Sequence, residues 1–349
     1  MSMDRRRFIR LAGGGAVAVT LGACGSALPP EAIAAWQGPG EQTDVRRWLV
    51  GHALLAPHSH NLQSWLVDLS VPNEILLYCD LARLLPETDP FSRQMMMSQG
   101  CFIELLDLAA REKGLRAQIE LFPRGAFGPE TVDARPTARI RLVPEASVAP
   151  DPLFAQIFHR RTNREAYEAR EPDAAALEAI SASVQAYPMR VGFVGAAQSE
   201  ALARHRDGIS LNAPMVRALV ALGLFDRREV PAPDGASTTT QIQDFNTRIE
   251  HTPAFFWLVT EGNDRCTQIN AGRAYVRAQL AATAADLSMQ PLSQALQEYP
   301  EQIGPYNEIH RLLGAPAPRF TVQMWARLGY APVIGPSPRR GLAAHILKA

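Results

Sequence analysis

Arg93-Gln94-Met95-Met96-Met97-Ser98-Gln99-Gly100, running on to Leu108-Ala109-Ala110, is the stretch on which the reading of the fold turns. Met96, Ile103, Leu106 and Ala110 fall at helical spacing, so residues 92–113 are expected as one long helix. The same signature returns 172 residues later: Arg265 answers Arg93, Gly272 answers Gly100, and Leu280-Ala281-Ala282 answers Leu108-Ala109-Ala110. Leu287 and Gln290 continue the match to Leu115 and Gln118. Leucine and alanine are common in helices, so each match alone is weak, and two amphipathic helices can agree by coincidence. Taken together, in one helix per half followed by similar loops, they point to duplication.

Around these helices the pattern alternates. A helix is expected over 43–56, ending near Pro57, then two short strands over 65–71 and 74–79 divided by Pro72-Asn73. Strands near 117–122 and 138–143 complete the first half, and Pro144 to Pro152 makes a proline-rich linker. The second half offers a helix over 173–186, a strand over 189–194 and helical patterns over 198–225. A polar tract over 226–240 reads as a surface excursion or as a lid. A strand over 254–260, a helix over 270–288 and a last strand near 322–328 follow. The expected division is a leader over 1–35, a first half over 40–150 and a second half over 151–349.

The leader carries its own message. Asp4-Arg5-Arg6-Arg7-Phe8-Ile9-Arg10 reads as a twin-arginine export signal, recognised by the Tat machinery, which carries proteins already folded. The apolar stretch from Leu11 to Ala23 holds Gly13, Gly14, Gly15 and Gly22, and is too short and too weakly hydrophobic to remain as a membrane span. Leu21-Gly22-Ala23-Cys24 fits a lipobox, which would attach a lipid tether at Cys24; plain cleavage around Ala32 to Ala35 is the alternative. The expected location is the periplasm, or the outer side of the cytoplasmic membrane.

Composition excludes some functions. With 35 basic against 35 acidic residues the formal net charge is zero, so no nucleic-acid partner is expected. The 349 residues are 47% hydrophobic, enough for a sizeable core. Beyond Cys24, the three cysteines Cys79, Cys101 and Cys266 have no CxxC spacing and read as core thiols.

Three stretches carry chemistry. Ala56-Pro57-His58-Ser59-His60-Asn61-Leu62-Gln63-Ser64-Trp65 places polar side chains between a helix end and a strand, where loops commonly hold ligands. His159-Arg160-Arg161-Thr162-Asn163-Arg164 sets three guanidiniums and a hydroxyl in five residues, a natural phosphate clamp. Pro338-Arg339-Arg340 lies near the C-terminus. A basic run alone is more often a solvated face. His52, His58 and His60 lie close enough to raise the question of a metal, but no cysteine or carboxylate stands near them, and they read as polar loop histidines.

These residues resemble the nitroreductase superfamily, specifically its Acg-like FMN-binding oxidoreductases. The family's loop of the type Ala-Pro-Ser-x-x-Asn-x-Gln-Pro-Trp is similar to residues 56–65, with Ser64 in place of the proline and the serine one position later. Its Arg-Arg-Ser-x-Arg clamp is similar to Arg160-Arg161-Thr162-Asn163-Arg164, with threonine for serine. The resemblance runs over residues 40–345. It implies an α+β fold, a mixed α/β sandwich whose two tandem halves form a fused pseudo-dimer. It also implies FMN as cofactor. Arg160, Arg161, Thr162, Arg164 and Arg339 or Arg340 would then hold the phosphate. Ser59, Asn61 and Gln63 would address the ribityl chain and ring edge, and the backbone around Gln290-Pro291 would lie beside the ring. No protein acid or base is implied, because the flavin carries the electrons. The first half lacks the clamp and the second lacks the loop, so one flavin site of two is expected.

The partner would be a small-molecule redox substrate, quinone-like or nitroaromatic. Nicotinamide pools are cytoplasmic, so an exported member needs another donor or only holds its flavin. An enzyme, an FMN-sequestering protein under a lid, and a relative without flavin all stand as readings, as do a monomer and a further pairing.

Overall fold

A computed structural model describes residues 28–195 and 236–347. The leader motif, Cys24 and the helical patterns over 198–225 lie outside the described residues, as does most of the polar tract. Its last residues, from Ala236, open a helix.

Helix α1 (Val45–Ala53) starts at Asp44, whose carboxylate accepts from the Arg46 amide. Strands β1 (Trp65–Asp68) and β2 (Glu74–Cys79) lead to helix α2 (Arg93–Glu112), then β3 (Leu115–Leu121) and β4 (Ala138–Pro144). The second half gives helix α3 (Ala174–Ser183), β5 (Arg190–Gly195), helix α4 (Ala236–Glu250) and β6 (Ala254–Glu261). Helix α5 (Arg265–Ala284), β7 (Ser288–Pro291), helix α6 (Ile303–Leu312) and β8 (Phe320–Gly329) complete it.

Each half therefore lays down two strands, a long helix and two more strands. The sheets are antiparallel and share one topology, β1-β2-β4-β3 and β5-β6-β8-β7. This is the α+β fold of two tandem halves. The long helices α2 and α5 pack on each other at the centre, and their glycines make the approach possible. A Cβ on Gly100 would lie 2.0 Å from the Ile269 carbonyl oxygen, and one on Gly272 would lie 1.8 Å from that of Met97. Ile269 is the repeat equivalent of Met97, so the contact is reciprocal, as across the two-fold of a homodimer.

The arginine that opens each helix repeats the exchange. Arg93 donates to the Leu296 carbonyl at 2.6 Å and the Gln323 carbonyl at 3.1 Å, both in the second half. Arg265 donates to the carbonyls of Phe91, Gly128, Pro129 and Thr131 in the first. Finally, the chain end crosses over: Val67 of β1 donates to the His345 carbonyl and its own carbonyl accepts from Leu347. The periodic expectations coincide with observed elements to within a few residues, except that α5 begins at Arg265. Helices α4 and α6 and the strand β7 were not expected. Cys79 and Cys101 are buried, but Cys266 is exposed in the first turn of α5.

Candidate cofactor site

The loop after α1 is held in a costly conformation. His60, Asn61 and Gln63 all have left-handed φ, of 51°, 53° and 54°, which costs on the order of 1 kcal/mol or more for each non-glycine residue. The C-terminal tail secures it. Asn61 Nδ2 donates to the Pro338 carbonyl at 2.9 Å, and its Oδ1 accepts from Arg339 Nη1 at 2.7 Å. Gln63 Oε1 accepts from the Arg340 amide at 2.8 Å. Burial lowers His58 to about 3, so the ring is neutral; its Nε2 accepts from the Ser64 amide at 3.0 Å. His52 is packed apart from it, against Trp48, Phe154 and Phe158.

The basic residues converge on this loop. Arg160 is buried, donating Nη2 to the Leu55 carbonyl at 2.9 Å and Nη1 to Gln279 Oε1 at 3.2 Å. Gln279 Nε2 donates in turn to the Arg161 carbonyl. Arg339 is also buried and spends its donors on Asn61 Oδ1, Ser337 Oγ and the carbonyls of Leu54, Leu55, Ala56 and Pro338. Among the described residues no carboxylate pairs with Arg160, Arg161, Arg164, Arg327 or Arg339. Burial lowers Arg160 to about 10, and burial followed by the charges of Arg160 and Arg161 holds Arg339 well below its ordinary value. Arg160 Nε, Arg161 Nε and the Tyr275 hydroxyl are buried without a partner among the described residues. Three guanidiniums without a carboxylate, two of them with an orphaned donor and a free tyrosine hydroxyl beside them, suit an oxyanion such as phosphate.

The other expected residues lie around this centre. Thr162 forms an isolated bridge to Met289, bringing this segment beside β7. Gln290 is buried and turned to Arg327, which donates to its Oε1 at 2.7 Å. Arg164 is exposed. Burial, and after it the charge of Arg164, lowers His60 to about 4. Arg340 Nη2 donates to the Gln63 carbonyl. Ser59 faces elsewhere, its Oγ donating to Gln94 Oε1 on α2 at 3.1 Å. Gln279, Tyr275, Arg327 and Trp36 were not singled out from the sequence. Gln279 was within reach, being the repeat equivalent of Asp107.

The equivalent place at the other end of the helix pair is built differently. Glu104 accepts from Arg273 Nε at 2.8 Å, Arg277 Nη1 at 2.9 Å and the Tyr187 hydroxyl at 2.6 Å. Arg277 also pairs with Asp151 at 2.8 Å, and Arg273 approaches Asp107 at 3.7 Å. Burial pushes Glu104 up, but the two arginines and the hydrogen bonds outweigh it and leave its pKa lowered.

Fold and site together define a fused two-half α+β protein in which, among the described residues, a cluster of arginines without carboxylate partners lies at the internal interface. The chain is 27% identical over 333 residues to "Putative NAD(P)H nitroreductase Rv3131" of Mycobacterium tuberculosis strain H37Rv, covering 83% of this chain and 88% of that one. The same figures hold for "Putative NAD(P)H nitroreductase MT3217" of strain CDC 1551. The chain is thus similar, over most of its length, to two proteins that carry that name. No family model matches it. Among solved structures it is similar to the FMN and NADPH-dependent nitroreductase NfnB of Sphigopyxis strain HMH, 16% identical, over 57% of this chain and 99% of that one, with a TM-score of 0.39. The Mycobacterium smegmatis NfnB in complex with NADPH gives 17% identity, 56% and 96% coverage, and a TM-score of 0.38.

Proposed function

We propose that this chain is an FMN-dependent oxidoreductase of the nitroreductase superfamily, on its Acg-like branch, passing electrons to a quinone-like or nitroaromatic small molecule. The observation that carries this reading is the gathering of Arg160, Arg161 and Arg339 without a carboxylate among the described residues, beside the strained Asn61–Gln63 loop. Bound FMN would supply the two-electron chemistry. The chain's own groups supply position and charge. Arg160, Arg161, Thr162 and Arg164, with Arg339 and Arg340, hold the phosphate. Asn61 and Gln63, pinned by the tail, shape the wall beside it, and Ser59 ties that wall to α2. Gln290, fixed by Arg327, borders the site from β7. One site per chain follows, because Glu104 and its arginines neutralise the equivalent place. The Arg5-Arg6 signal supports export by the Tat route, with Cys24 as a lipid tether.

The test is the visible spectrum of the purified chain and of the Arg160→Ala/Arg164→Ala variant. Flavin absorbance in the first and its loss from a folded variant are expected. Equal flavin content in both removes the site assignment. A colourless wild type that cannot be reconstituted with FMN overturns the function. Anaerobic titration separates donors: bleaching by NADPH marks a nicotinamide-fed reductase, and bleaching by a strong reductant alone marks another donor or a holding role.

A further inference from the structure

Besides its oxygen acceptors, the arginine centre holds an aromatic face. The Trp36 ring centroid lies 4.2 Å from the Arg161 guanidinium carbon, 5.0 Å from that of Arg339 and 5.8 Å from that of Arg160. Guanidiniums within about 6 Å of an indole face are attracted by its quadrupole, and more strongly where water is excluded. Here three of them share one ring, and no carboxylate among the described residues relieves their mutual repulsion.

Trp36 is itself fixed. Its Nε1 donates to the Ser337 carbonyl at 2.8 Å, two residues before Arg339, and the Arg339 amide donates to the Ala32 carbonyl at 2.7 Å. Ala32 and Trp36 are both buried. The short segment from Pro30 to Gln37 is therefore clasped to the basic tail, with its one large ring under the guanidiniums. This is the stretch in which the sequence reading ended the leader.

We infer that Trp36 is a positioning residue of the phosphate clamp, and that the processed chain keeps residues 30–37. The inference rests on the flavin reading of the arginine centre. Without the indole, Arg160, Arg161 and Arg339 repel one another and must be gathered by the incoming phosphate itself. Cleavage around Ala32 to Ala35 would remove the Ala32 carbonyl from Arg339. A cut after Ala35 would also leave a new ammonium group on Trp36, beside three guanidiniums. Cleavage upstream of Pro30, at Cys24 among other places, leaves the clasp whole.

The experiment compares FMN dissociation constants, by flavin fluorescence titration, for the full chain and for Trp36→Phe and Trp36→Leu. Both variants fill much of the space, but only phenylalanine keeps an aromatic face. Roughly tenfold weaker binding is expected for W36L, and less for W36F. Wild-type affinity in both variants, or equal losses in both, overturns the positioning role. A wild type that takes up no FMN sinks the flavin reading and this inference with it. The mature N-terminus, read by mass spectrometry of exported protein, is expected upstream of Pro30; a start at Ile33 or later overturns the retention of the segment.

Discussion

Gln279 and Asp107 hold equivalent positions in the repeat, on α5 and α2, yet they serve opposite ends of the molecule in opposite ways. Gln279 steadies Arg160 and the Arg161 backbone in a centre where the described residues offer no carboxylate. Asp107 stands beside Glu104 in a network that answers Arg273 and Arg277. A buried surplus of positive charge is costly unless something anionic arrives, whereas a neutralised network is complete without a ligand. Duplication within one chain permits this divergence. In a homodimer every substitution would fall at both ends.

The largest expected effect is at the neutralised end. Glu104→Gln leaves Arg273 and Arg277 facing each other without their shared carboxylate, and breaking a buried pair in this way costs about 3–5 kcal/mol. Urea unfolding of the flavin-free chain should show that loss, while flavin bound per folded molecule stays unchanged. A stability loss under about 1 kcal/mol, or loss of flavin, would break the contrast between the ends.

Next come the glycines at the crossing. Gly100→Ala and Gly272→Ala each force a methyl group onto a carbonyl of the opposite helix, which costs about 1–3 kcal/mol by overpacking. The internal two-fold requires the two variants to lose similar amounts in the same assay. A large inequality would show that the halves no longer meet symmetrically.

The smallest effect is a pH dependence at the arginine-rich end. His58, lowered to about 3 by burial, is neutral in the folded chain, while the unfolded chain protonates near 6.5. The unfolded state therefore binds more protons below 6.5, and stability is lost as pH falls from there towards about 3. At about pH 5.5 this amounts to about 1 kcal/mol. Glu104, with its lowered pKa, gives up its contribution only below the ordinary 4.5. Asp89, raised to about 6 by burial, works in the opposite direction across part of this range. The histidine effect is accordingly read as the difference between wild type and His58→Gln, whose unfolding should be flatter between about pH 6.5 and 5. Parallel pH curves would remove the assignment.

Much of the frame was legible because α2, α5 and the longer strands bury continuous, periodic faces. Strand β7 escaped notice because it is four residues long and ends in proline. Helix α6 was masked by Gly304 and Pro305, which read as breakers although proline is tolerated in a first turn. The three basic and polar stretches were visible as motifs. Their mutual arrangement was not, since Arg339 meets Asn61 across 278 positions. Nor was the Glu104 network, whose members come from α2, α5, the linker and the loop after α3. Trp36 drew no attention because nothing near it in sequence explains what it holds.

The bonds between the loop and the tail also bear on how the chain comes into being. Asn61 leaves the ribosome early, but the Pro338 carbonyl it needs is 277 residues behind it. The strand partners of Val67 at residues 345–347 come later still. Such distant closures are slow, because chain entropy must be lost before the contacts form. The loop must wait, in its strained form or out of it, until synthesis is nearly finished. The arginine centre is thus the last part of the molecule to be assembled.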